Sequence, residues 1–441
     1  MTTHSHYDVI IIGTGAGGGT LAHHLAPSDK KILILERGSF LPREKENWSA
    51  LEVYQHERYH TQEQWFDVND RAFRPSTNYW VGGNTKVYGA ALLRMRERDF
   101  QQVQHKDGIS PEWALKYDDF APYYLQAEQL YDVHGQVGMD PTEPHHRLPY
   151  PYPAVRHEPR MQQLANAFTT LGLHPFHLPL GLKLNEVDKT LGHCIRCNTC
   201  DGFPCLTQGK ADAEVNCIQP IRCNANVTLL TEAKVTCLYT SPSGREITQV
   251  KAEVNGDVQF FRGDIVVVAC GAINSAALLL RSANDRHPTG LANRSDQVGR
   301  NLMKHICTAL VQLSTTPNLS VYQKTICISD FYWGEPDFPY PMGLIQNTGN
   351  VLADMLPAEA PAILAPFLRL RPGAELKTIA DRTVGWWLQT EDLPEAANRV
   401  RVQNDRLYLD YKPNNFEASD RLIKRWVRIL KQVDRAEHTI P

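Results

Sequence analysis

Tyr7–Gly19 reads YDVIIIGTGAGGG, and Lys31–Glu36 reads KILILE. These two stretches decide the fold. The first begins as an unbroken β-branched run, which fits a strand buried on both faces in a parallel sheet rather than one alternating between core and water. Glycines at 13, 15 and 18 then give GxGxxG, and a short helical pattern follows through Leu25. KILIL is a second strand, and Glu36 stands at its end. Strand, glycine turn, helix and strand within about 30 residues make one β-α-β unit.

Each position in that turn has a physical task. Gly13 permits the tight turn, Gly15 lets backbone approach a pyrophosphate, and Gly18 lets helix and strand pack closely. Ala16 opens the helix, whose free N–H groups and dipole favour an anion. Glu36 can accept hydrogen bonds from the hydroxyls of an adenosine ribose. A glycine-rich turn with no ligand is the alternative, and the strand, helix and carboxylate in register argue against it. The motif by itself does not separate FAD from a nicotinamide dinucleotide, although Glu36 would repel a 2′-phosphate.

Further strands are expected at Val227–Leu230, Ala233–Tyr239, Ile247–Val254 and Phe260–Ala269, followed by a turn at Cys270–Ser275 and a helix from Ala276. Glu112–Leu130 and Arg160–Leu171 carry helical spacing, and Pro141–Pro159 reads as an extended connector. After Arg300 the aromatics thicken, and a second, antiparallel unit is expected there. The fold class is α/β, a Rossmann-like domain joined to a sheet-containing α+β domain.

Composition sets the outer limits. The 441 residues are 42% hydrophobic and 22% charged, with 46 basic against 49 acidic side chains and a net charge of −3. Such a balance gives no footprint for nucleic acid or an anionic membrane. No apolar run approaches the roughly 18 residues of a membrane helix, and Met1–His6 lacks the pattern of a signal peptide, so a cytoplasmic location is expected.

Four later stretches follow one another as they do in glucose-methanol-choline (GMC) flavoenzymes. Asn78–Phe100 (NYWVGGNTKVYGAALLRMRERDF) resembles the family's Gly-Gly turn past the flavin ring. Asn226–Leu238 (NVTLLTEAKVTCL) resembles its adenine-facing strand, Asp264–Ser282 (DIVVVACGAINSAALLLRS) its second FAD-contacting strand-turn-helix, and Val298–His305 (VGRNLMKH) its GRNLxDH turn. Asp107–Gly135 also resembles the helix-lined segment between the first two. The resemblance implies an FAD-dependent oxidoreductase that takes hydride from the CH–OH group of an alcohol or polyol, with an unassigned electron acceptor. It places Gly82, Gly83, Asn84 and Thr85 near the flavin, Val235 against adenine through its backbone, and Ala272 beside the cofactor. It further implies a noncontiguous FAD domain over 1–155 and 225–305, a connector with a Cys-rich turn over 156–224, and a substrate domain over 306–441.

The match breaks near the C-terminus. The family's catalytic His pattern is not met before Pro441, and His438 reads as a tail residue, so the catalytic residues are unknown. The expectation is a chain that lacks the closing segment. The alternative to an active enzyme is an FAD-binding remnant or a subunit completed by another chain.

Cys194, Cys197, Cys200 and Cys205 form C-x2-C-x2-C-x4-C. Such spacing approaches the bacterial ferredoxin run and also suits zinc. An iron–sulfur cluster, zinc, and metal-free thiols or a disulfide all remain open. Cys217, Cys223, Cys237 and Cys270 read as small buried apolar residues. His145–His146 reads as surface, Lys86 and Arg94 as either flavin-stabilising cations or ion pairs, and Trp386–Trp387 as core in preference to a substrate pocket.

Overall fold

The structure is a computed structural model that describes residues 6–433 and the backbone of His438–Ile440. Its first layer is a six-stranded mixed sheet. β1 (His6–Ile12) leads through α1 (Ala16–Leu25) to β2 (Ile32–Leu35), and the chain returns to this sheet about 190 residues later. It then adds β3 (Val227–Leu230), β4 (Ala233–Thr240), β5 (Ile247–Val254) and β6 (Asp257–Val268), followed by α2 (Gly271–Arg281). The order across the sheet is β3-β2-β1-β6-β5-β4.

The first four strands in that order are parallel, and Ile10 lies between Leu33 and Val266. Ile10, Ile11, Leu33 and Ile34 are fully buried, as a two-sided apolar run requires. β4, β5 and β6 form an antiparallel meander, with the two-residue Asn255–Gly256 turn between the last two. α2 starts at Gly271, five residues before the expected Ala276. The chain leaves the strand and enters the helix at the glycine itself, while the Cys270 N–H donates to Ser275 Oγ at 3.1 Å.

The second layer is antiparallel throughout. β7 (Ile306–Leu313), β8 (Ile326–Ile328), β9 (Leu344–Asn347) and β10 (Thr383–Thr390) pair in the order β7-β10-β9-β8. Phe176–His177, from the stretch read as connector, pairs with β8, and the His438–Ile440 backbone pairs with β7. His438 is therefore in a strand rather than a tail.

α3 (Phe416–Val433) lays its apolar stripe on this sheet. Leu422, Trp426, Ile429 and Leu430 are buried among Phe168, Trp386 and Leu388. Trp386 and Trp426 meet edge to face at 4.9 Å. Trp386 is thus core, as the sequence suggested. A third small sheet, made of Arg399–Gln403, Arg406–Asp410, Trp65–Asp67 and Ala72–Phe73, lies against α2 through Val400, Leu407 and Ala277.

Candidate functional site

The parallel strands end at a cavity of about 560 Å³. Crevices at the C-terminal ends of parallel strands are where open α/β sheets take ligands. Its walls come from well-separated parts of the chain, among them the turn after β1, the end of β2 at Glu36, the turn at Gly83–Thr85, β4, and the β6–α2 segment.

The first turn is built by steric necessity. A Cβ on Gly18 would lie 2.0 Å from the Gly13 carbonyl oxygen, and one on Gly13 would lie 2.5 Å from the Ala269 oxygen. Helix, turn and neighbouring strand close only with glycine at both places. Gly15 differs, because a Cβ there meets no atom within 4 Å and would project into open space. That space is what a bulky anion needs for close approach to the backbone. α1 has no side-chain cap at Gly15 and no acidic residue in its first turn. α2 likewise has no side-chain cap at Cys270, which lines the cavity with Gly271. Two helix N-termini thus offer free N–H groups at one cavity.

Glu36 lies 5% exposed in the cavity wall. Its Oε2 accepts from the Thr14 N–H at 2.9 Å and the Thr14 hydroxyl at 2.6 Å, and its Oε1 accepts from the Gly38 N–H at 2.9 Å. Burial raises its pKa above the usual 4.5, with the three hydrogen bonds pulling the other way. Each oxygen keeps acceptor capacity for a further hydroxyl. Arg37 next to it is engaged elsewhere, 3.5 Å from the centre of the Tyr79 ring and 3.4 Å from Glu63.

The Gly82–Thr85 turn folds over the first. Gly82 and Gly83 both have positive φ, at 95° and 58°. Thr85 Oγ1 donates to the Gly82 carbonyl at 2.5 Å and accepts from the Ala213 N–H at 3.0 Å, which pegs the turn to the segment behind it.

Gly13, Gly15, Ala16, Glu36, Gly83, Asn84, Thr85 and Val235 all line this cavity. Gly18, Gly82 and Ala272 do not: Gly18 packs the helix, Gly82 sits one layer behind the wall, and Ala272 follows the lining Gly271. Sequence reasoning missed Thr14, Tyr79, Asn274, Arg281 and Asp405, which also line it. Thr14 stood inside the GxGxxG turn, and Tyr79, Asn274 and Arg281 stood inside stretches that resemble cofactor-contacting segments; only Asp405 had no pattern pointing to it.

Lys86 and Arg94 are ion pairs. The Lys86 ammonium lies 3.0 Å from Asp212 and 2.5 Å from Glu214, and Arg94 grips both oxygens of Glu128 at 2.6 Å. All are buried, and none of the five lines the cavity.

The cysteine cluster departs from a metal site. All ten cysteines are free, and no group of three or more His, Cys, Asp or Glu side chains among the described residues could hold a metal. Cys194, Cys197, Cys200 and Cys205 are neighbours close enough for their charges to interact. Cys200 is buried in an apolar cluster with Tyr322 and Leu178, while the Lys210 N–H lies 3.4 Å from Cys205 Sγ. Burial first, then the adjoining thiols, pushes Cys194 up to about 12. Neither an iron–sulfur cluster nor zinc is shown at these residues, and the four cysteines are free. Of the other cysteines, Cys217 is buried as expected, Cys237 and Cys270 are half-buried, and Cys223 is exposed. His145 is on the surface, but the His146 side chain is 1% exposed and rests 4.9 Å from the Tyr150 ring, because the connector folds back on itself there.

Residues 7–307 match the family model for GMC oxidoreductase. The chain belongs to that family. It is 32% identical over 308 residues to 6'''-hydroxyparomomycin C oxidase of Streptomyces lividus, a match spanning 67% of this chain and 54% of that enzyme. It is 27% identical over 427 residues to the fructose dehydrogenase large subunit of Gluconobacter japonicus, covering 90% of this chain and 76% of that subunit. The fold matches Aspergillus oryzae formate oxidase with a TM-score of 0.64 at 16% identity, over 99% of this chain and 82% of that one.

Proposed function

We propose that this chain binds FAD in the 560 Å³ cavity and serves an oxidoreductase acting on the CH–OH group of an alcohol or sugar. One observation carries the reading. A single cavity joins a ribose-type carboxylate and two uncapped helix N-termini at one end to a doubly left-handed glycine turn at the other. A dinucleotide with a flat ring needs that combination, whereas a mononucleotide would leave the Gly82–Thr85 turn without a purpose.

The residues fit the cofactor part by part. Glu36 accepts the adenosine ribose hydroxyls, and Val235 meets the adenine by its backbone. N–H groups after Gly15 and Gly271 receive the pyrophosphate. Gly83, Asn84 and Thr85 form the surface that orients the ring system. When bound, the flavin supplies a two-electron acceptor for hydride. The names of the two relatives, a hydroxyparomomycin oxidase and a fructose dehydrogenase, support a hydroxylated small molecule as substrate.

The test is to purify the chain, remove any flavin, and titrate FAD by absorbance and calorimetry. Saturable binding lost in Glu36→Ala supports the reading. A chain that takes up no FAD, or takes it up equally well without Glu36, overturns it.

A further inference from the structure

We infer that Thr14 is a positioning residue that ties the flavin-side turn to the carboxylate at the adenosine end. This rests on the FAD reading above and deepens it. Thr14 is fully buried. Its hydroxyl donates to Glu36 Oε2 at 2.6 Å and accepts from the Gly82 N–H at 3.0 Å.

The direction of this relay is fixed by chemistry. An ionised carboxylate has no proton to give, so the single hydroxyl proton of Thr14 is committed to Glu36. Only a lone pair is left for Gly82, and Gly82 supplies the N–H that fits it. Gly82 is held at its carbonyl as well, which accepts from Thr85 Oγ1. Two threonine hydroxyls thus clamp the peptide units on either side of Gly82, a residue in the left-handed region, and one of the two is set by Glu36. Glu36 and Gly82 make no direct contact of their own in this chain of bonds. A ligand group that draws on Glu36 therefore acts on the flavin turn through Thr14.

The family motif leaves the position after the first glycine open, and a serine would preserve the relay. Valine, of nearly the same shape, would remove it. It would leave a buried N–H without an acceptor and Glu36 short of one donor.

The experiment compares wild type, Thr14→Val, Thr14→Ser and Glu36→Ala. The first readout is amide hydrogen exchange at Gly82 in the flavin-free protein. The second is calorimetric affinity for FAD and for ADP, which reaches the adenosine end only. The relay predicts exchange at Gly82 about tenfold faster in Thr14→Val, from the lost acceptor. It predicts faster exchange in Glu36→Ala too, although that side chain does not touch Gly82. It also predicts a larger loss for FAD than for ADP in Thr14→Val, and wild-type behaviour in Thr14→Ser. Unchanged exchange at Gly82 in both Thr14→Val and Glu36→Ala overturns the inference, as does Thr14→Ser behaving like Thr14→Val. Equal losses for FAD and ADP in Thr14→Val reduce Thr14 to a support for Glu36 and overturn it as well. Should Thr14→Val not fold, Glu36→Ala carries the exchange test alone. If wild type binds neither FAD nor ADP, the functional reading fails, while the exchange data still decide the relay.

Discussion

Gly83 rests on Gly15: a Cβ on Gly83 would come 3.1 Å from the Gly15 Cα, whereas a Cβ on Gly15 meets nothing within 4 Å. The two turns are 68 residues apart in the chain, and their contact has a direction. The Gly82–Thr85 turn leans on the turn after β1, and the turn after β1 faces open cavity.

That asymmetry separates two alanine substitutions. Gly83→Ala puts a side chain at φ 58° and against a backbone atom. It is expected to destabilise the flavin-free protein by about 1–2 kcal/mol, the cost of a left-handed non-glycine residue. Gly15→Ala is expected to leave the flavin-free protein within about 0.5 kcal/mol of wild type, as a substitution into open space does. Its methyl nevertheless enters the space where the proposed function seats the pyrophosphate, so FAD affinity is expected to fall sharply. Denaturant melts and FAD titrations on both variants check the pair.

Glu36 gives opposite pH slopes to folding and to binding. Its folded pKa is raised by burial above the ordinary 4.5. The folded, flavin-free protein therefore holds this proton more tightly than the unfolded chain does. The stability that Glu36 contributes is fully present below pH 4.5 and is lost as pH rises through the folded value. On the proposed function FAD binding runs the other way, because the ionised carboxylate would accept ribose hydroxyls. Affinity for FAD is expected to fall as pH is lowered from neutral through the raised pKa. Titrations of wild type and Glu36→Ala across that range should show the slope in the first and its absence in the second.

A second pH effect lies far from the cavity. His157 stacks on His177 with ring centres 3.9 Å apart, and its Nδ1 lies 2.8 Å from Thr325 Oγ1. Burial, then the neighbouring His177, pulls His157 from 6.5 down to about 3. A depressed folded value means that the stability contribution is present above pH 6.5 and is lost as pH falls toward 3. His157→Phe keeps the stack and gives up one hydrogen bond, a loss of about 1 kcal/mol at neutral pH. It is expected to melt lower than wild type at pH 7.5 but to lose less on going to pH 5. Melting temperatures at the two pH values test this.

The legible part of this fold was the part fixed by local sequence. YDVIII and KILIL could be read because two-sided burial removes polar residues from a strand, and GxGxxG because its glycine spacing directly after a strand and before a helix is a local pattern. The Asn255–Gly256 hairpin was legible in principle, since Asn-Gly between strands is a strong turn signal. What the sequence hid was long-range. Nothing local shows that Thr14 meets Gly82, that Asp405 reaches Arg281, or that Phe176–His177 joins the second sheet.

The second layer has its own keystone in Trp386. It is fully buried, packs edge to face on Trp426 and on Phe168, and donates its indole N–H to Gln312 Oε1 at 3.1 Å. It therefore joins β10 to α3, to the helix Pro159–Thr170 and, through Gln312, to β7. Trp386→Ala would remove one of the largest buried side chains, for a loss of about 3–5 kcal/mol. Trp386→Phe keeps the ring contact and gives up the hydrogen bond, so a smaller loss is expected. The cavity walls come from the first layer and the turns above it, and neither variant touches them. Both should still bind FAD with near wild-type affinity at temperatures where they remain folded. Chemical denaturation paired with FAD titration tests this separation. Parallel loss of stability and affinity in Trp386→Phe would show instead that the second layer holds the cavity in shape.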